Sequence, residues 1–122
     1  MTASAALLLL VAAGATPATA LECPAAAGEA LVHIDIFDGP PEEQADLAPD
    51  RTTRQGAATS NFWQLSPGAR GLFVKCDYGK ALAGPYSRVE LIKLPDSAKS
   101  CRADFMTGPG AGDLTLQKFS CR

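Results

Sequence analysis

Four cysteines limit what this chain can become more than any other feature. Cys23, Cys76, Cys101 and Cys121 are spread along it with no two closer than 20 positions. Structural zinc sites bring their ligands in close pairs such as C-x-x-C, so that spacing argues against a metal-held fold. An even number of cysteines in a chain of this size instead suits two disulfides in an oxidising compartment. About 100 residues bury only some 60 to 70 per cent of their unfolded surface, so covalent ties add stability that the core alone supplies sparingly.

Disulfides require export, and the N-terminus carries a matching signal. Ala5 to Ala13 is an apolar stretch containing the leucine run Leu7 to Leu10, too short to span a bilayer. Pro17 and the small-residue run Ala18-Thr19-Ala20 follow, in the A-x-A pattern of signal-peptide cleavage. We therefore expect residues 1–20 to be removed, leaving residues 21–122 as one disulfide-bonded domain. No Lys or Arg precedes the apolar run, so the α-amino group alone supplies its positive charge. Glu22 occupies the position where a lipid anchor on Cys23 would want a small residue. The expected product is periplasmic or secreted, without stable membrane insertion.

Glycine and proline cut the mature part into short pieces, which favours strands over long helices. The class is mainly β: a small antiparallel β-sandwich or barrel-like domain with one short helical turn. Leu31 to Phe37 is the first strand, with Val32, Ile34 and Ile36 on one face and His33 and Asp35 on the other. The sequence PPEEQADLAP that follows makes one or two helical turns, started by Pro41 and favoured by Glu42 and Glu43 near the positive end of the dipole. Residues 50–61 are polar and small without apolar periodicity, and read as a long exposed loop. A short apolar stretch, Phe62 to Leu65, comes next, with Trp63 expected in the core and a turn at Ser66-Pro67-Gly68. Gly71 to Tyr78 and Ser87 to Leu94 form an antiparallel pair, in which Leu72, Val74, Cys76 and Tyr78 share a face.

The last two strands, Cys101 to Met106 and Leu114 to Cys121, flank the glycine-rich loop at residues 108–112. Pairing positions that sum to 222 sets Cys101 against Cys121, Ala103 against Phe119 and Phe105 against Gln117, all on one face. That register favours a Cys101–Cys121 bridge and leaves Cys23 for Cys76, although four cysteines allow three pairings.

Charge is unevenly placed. The net charge is only −2, which argues against a nucleic-acid partner. Residues 21–50 nevertheless hold eight acids and no Lys or Arg, while all eleven Lys and Arg residues lie from Arg51 onward. If the acids share a face, the molecule is dipolar; within this segment Asp38, Glu42, Glu43 and Asp46 are the expected partner contact. They lack the EF-hand order and have no aromatic sugar platform nearby, so neither calcium nor glycosidase chemistry fits. His33, the single histidine, sits two positions from Asp35, and a hydrolase would have to use this pair. No G-x-S-x-G elbow accompanies it and the cysteines are committed to bridges. The glycines at 108–112 lack the Lys-Ser/Thr of a phosphate loop. No catalytic residue, cofactor or metal is expected.

Cys23-Pro24, the stretch from Phe37 to Glu42, Leu47, Pro49-Asp50, Trp63, Cys76-Asp77-Tyr78, Leu94-Pro95 and Cys101 together resemble an uncharacterised family of small secreted four-cysteine proteins of Gram-negative bacteria. Some similar proteins are periplasmic immunity proteins against cell-wall-attacking effectors of type VI secretion. The resemblance implies a binding protein that occludes a cell-wall-directed enzyme or effector. It fixes no inhibitory residue. Two alternatives stand beside it, a small structural or stress-related envelope protein and a hydrolase built on His33 and Asp35.

Overall fold

In the computed structural model, which describes residues 21–25, 28–66, 71–110 and 114–122, alternating apolar residues become strands of two antiparallel sheets. Residues 1–20, on which the export reading rests, lie outside the described set, as do Pro67 and Gly68 of the expected turn and residues 111–112 of the glycine-rich loop.

One sheet has three strands in the order β1 (Ala30–Asp38), β4 (Leu72–Gly79), β5 (Tyr86–Lys93). The other has four, in the order β2 (Arg51–Gln55), β3 (Ala58–Gln64), β6 (Ser100–Thr107), β7 (Leu114–Cys121). Ile34, Ile36, Val74 and Tyr78 from the first sheet meet Trp63, Ala103, Phe105 and Phe119 from the second in a common core, giving a sandwich and not a closed barrel. Among the described residues the one helical element lies between β1 and β2, a 3-10 turn at Pro41–Glu43 with proline at its start.

Trp63 is buried as the pattern predicts, and its indole N–H donates to the Leu47 carbonyl at 3.0 Å. This bond ties the segment after the 3-10 turn to the core. The expected loop at 50–61 is instead a hairpin, β2 and β3, joined through Gly56 and Ala57. Gly56 has φ 61°, at the first central position where a type II′ turn takes glycine. The hairpin hid itself because every residue of β2 is exposed, so no apolar alternation marks it. Its β-branched Thr52, Thr53 and Thr59 were the remaining signal.

Both disulfides join the cysteines that the hairpin register favours. Cys101–Cys121 bridges directly opposed residues of β6 and β7, and Cys23–Cys76 ties the N-terminal segment to the central strand β4. The register itself needs one correction. Cys101 faces Cys121 and Ala103 faces Phe119, but a bulge between Asp104 and Phe105 sets Phe105 against Leu116. The strict register would have turned the polar Gln117 inward. The extra residue leaves Gln117 exposed and brings Leu116 and Phe119, three positions apart, into the core together.

Candidate protein-docking face

The outer face of the three-stranded sheet carries the chemistry. Cross-strand partners place its side chains in rows: His33, Asp77 and Val89; then Asp35, Lys75 and Leu91; then Phe37, Phe73 and Lys93. The chain returning from the 3-10 turn pairs Asp46 with Phe37 along the outer edge of β1, which extends the last row by one acid. Hydrogen bonds from Asp38 N–H to the Ala45 carbonyl and from Leu47 N–H to the Ile36 carbonyl hold that return in place.

At the centre of this face, the Asp77 carboxylate is wholly buried. His33 Nδ1 lies 2.8 Å from its Oδ2, and Lys75 Nζ lies 3.3 Å from its Oδ1. Tyr86 roofs the cluster, its ring stacked on the imidazole with centroids 5.8 Å apart and its hydroxyl donating to the Leu82 carbonyl. Burial holds the Tyr86 phenol above its usual range. Burial also raises the Asp35 carboxyl, and the charges of Asp77 and Asp46 push the same way, against His33 and Lys75. Asp35 and His33 do share a face, 3.6 Å apart, but the close partner of His33 is Asp77. Sequence reasoning missed this residue because it lies between the inward-facing Cys76 and Tyr78. Only the register of β1 on β4 reveals it.

Strand β5 is inverted relative to ordinary patterning. Val89 and Leu91 point outward, each half exposed, while Arg88 and Glu90 lie on the core side at the rim of the sandwich. There the two form an ion pair, with the Arg88 guanidinium 5.7 Å from the Tyr78 ring centre. The chain thus spends two aliphatic side chains on solvent and keeps a charged pair where apolar residues are the rule.

The four acids expected to form the contact lie on one excursion, leaving β1 at Asp38, passing Glu42 and Glu43 in the 3-10 turn and rejoining its edge at Asp46; all four are exposed. The eight acids of residues 21–50 do not all share this face. The Asp50 carboxylate accepts from Gln64 N–H on the other sheet. That sheet's outer face holds a groove of about 650 Å³ lined by Arg51, Phe62, Lys99, Arg102 and Arg122. Arg51 and Arg102 flank the Phe62 ring at 4.4 and 5.1 Å from its centre, a cation–π pair on one aromatic. The sandwich is therefore more acidic along the β1 edge and more basic across the opposite sheet.

Two kinds of chemistry can be tested against this geometry. His33 and Asp77 have the separation of a base and its orienting carboxylate, yet among the described residues no hydroxyl or thiol hydrogen-bonds to His33. One donor atom each from His33, Asp35 and Asp77 lies within 4.8 Å of the others, a spacing a cation can bridge. The Lys75 ammonium already stands against Asp77 and supplies the countercharge there. The face presents a cross-linked polar centre flanked by apolar residues on one side and acids on the other, a composition of the kind found in protein contacts.

Comparison with known proteins agrees with a recognition role. The family model described as the Type VI secretion system Tli immunity protein matches residues 25–122. The chain belongs to that family. No curated protein and no solved structure matches it. Membership accounts for the four-cysteine sequence resemblance and implies that the chain binds a toxin effector. Together with the two disulfides, it indicates a protein working outside the cytoplasm.

Proposed function

We propose that this chain is a periplasmic immunity protein that neutralises a cell-wall-directed type VI effector by binding and covering its active region. Residues 1–20 would direct export and be removed, leaving residues 21–122 to fold as one oxidised domain. The observation that carries the reading is the family match across residues 25–122. Supporting it are two disulfides, which suit an oxidising compartment, and the exposed acids Asp38, Glu42, Glu43 and Asp46 on one excursion. An enzyme that works on anionic cell wall presents a basic surface, and these acids meet it with complementary charge. The acids would act more on the rate of encounter and on its salt dependence than on the lifetime of the complex.

Isothermal titration of the oxidised protein with the purified toxic domain of its cognate type VI effector tests the reading. A saturable one-to-one complex that inhibits the toxin is expected. Absence of binding by the oxidised wild-type protein would remove it. Charge reversal of Glu42, Glu43 and Asp46 together should slow association several-fold and flatten its salt dependence. An unchanged association rate would remove the acidic excursion from the contact.

A further inference from the structure

Val89 and Leu91 stand outward, each half exposed, while the core side of their strand carries Ile92, packed against the core, and the ion pair of Arg88 and Glu90 at the rim. Beside them the charges are unbalanced. Asp35, Asp77 and Asp46 share the face with two ammonium groups, Lys75 against Asp77 and Lys93 at the far end of the last row, and one imidazole, His33. Among the described residues Asp77 Oδ1 is buried without a hydrogen bond and meets the Lys75 ammonium as an ion pair. The side chains of Asp35 and His33 remain about one-third open to solvent, at 32% and 29%.

We infer that this outer sheet face is the main docking surface for the toxin, which presents an apolar side chain to Val89 and Leu91 and a Lys or Arg to Asp35 and Asp46. The inference rests on the immunity reading and deepens it. It moves the centre of the interface from the acidic excursion to the sheet beside it, with the excursion as a charged rim. Continuity supports the arrangement, since Asp46 belongs to both the excursion and the last row of the sheet face. So does size. Strands of eight or nine residues are roughly 26 Å long, and three strands with the returning segment are roughly 19 Å wide. The resulting footprint of about 500 Å², before side-chain relief, is a large part of the roughly 800 Å² per partner in a standard interface. A fixed polar centre also keeps the entropy cost of binding low, because His33, Asp77, Lys75 and Tyr86 already hold one another.

The test is the affinity of the same purified toxic domain for three variants, each first shown to be fully oxidised and to unfold cooperatively at a midpoint no lower than wild type. Leu91→Asp should weaken binding at least about 30-fold and Asp35→Asn at least about 10-fold, whereas Arg51→Glu in the opposite groove should leave it within about 3-fold. Asp35→Asn separates docking from structure, because removing a carboxylate that burial disfavours should stabilise the fold while weakening the complex. If wild type binds and both sheet-face variants retain its affinity, the inference fails and the immunity reading survives. If wild type itself does not bind, the reading falls and takes the inference with it. Sedimentation supplies the remaining outcome. A wild-type dimer that Leu91→Asp makes monomeric, with toxin affinity intact, would assign the face to a second copy of the chain and overturn the proposal.

Discussion

Replacing Cys23 and Cys76 together by alanine opens the longer of the two covalent loops, which spans 53 positions, whereas Cys101 and Cys121 close a loop of 20. On the chain-entropy account the longer bridge contributes about 4 kcal/mol and the shorter about 3 kcal/mol. Packing reinforces the ranking. Cys101 and Cys121 are opposed residues of a ladder that holds the hairpin without them, and Leu21 exchanges backbone hydrogen bonds with Cys121 beside it. Cys23 has less help toward its own partner strand: the Leu21 bonds hold its segment to β7, and its ties to β4 are the bridge and the Tyr78 hydroxyl on the Pro24 carbonyl. For about 100 residues each kcal/mol is worth roughly 4 to 5 °C, so the double variants should melt roughly 20 °C and 15 °C below wild type. Trp63, the single tryptophan, is buried and reports unfolding by fluorescence in urea. Reductant should lower the wild-type midpoint at least as far as the Cys23/Cys76 variant does. A loss under about 1 kcal/mol for the longer loop, or a larger loss for the shorter one, would refute this reasoning.

Three further substitutions probe single links. Trp63→Ala should cost about 3 to 5 kcal/mol in urea titrations, because it empties a core site and breaks the tie to Leu47. Asp35→Asn should be more stable than wild type at pH 7. The folded carboxyl is raised by burial, so its favourable contribution is present below the unfolded value near 3.9 and lost as pH rises through the folded one. The advantage should shrink toward pH 3.5. Asp104 shows the opposite sign. Burial raises its carboxyl, but hydrogen bonds from Ser60 and Arg102 outweigh that and lower it, so its contribution is present above about pH 4 and lost in acid. Asp104→Asn should destabilise at pH 7, by a margin that closes as pH falls.

Where one side of a strand meets the core, its residues announced it. Val32, Ile34 and Ile36 marked β1, the apolar face of β4 was complete from Leu72 to Tyr78, and the spacing of Cys101 and Cys121 set the last hairpin. Strand β2 was illegible because it touches no core: its five residues are held by backbone bonds to β3 and a glycine turn. The bulge opposite Gln117 escaped notice because register counting assumes an unbroken ladder. The docking face was the least legible part. His33 and Asp35 were visible as neighbours, but Asp77 and Val89 join His33 only through pairing between strands 44 or more positions apart along the chain or folded back on one another. The four acids could be singled out by composition, whereas the edge they occupy depends on the return of the chain to Phe37.

Survival of cells that export the toxic domain tests the central claim most directly. The comparison is between co-expressed residues 1–122 and a version lacking residues 1–20. Full protection by the first and none by the second, at equal expression, is the predicted result. Equal protection by the version retained in the reducing cytoplasm, or no protection by either, would contradict the account.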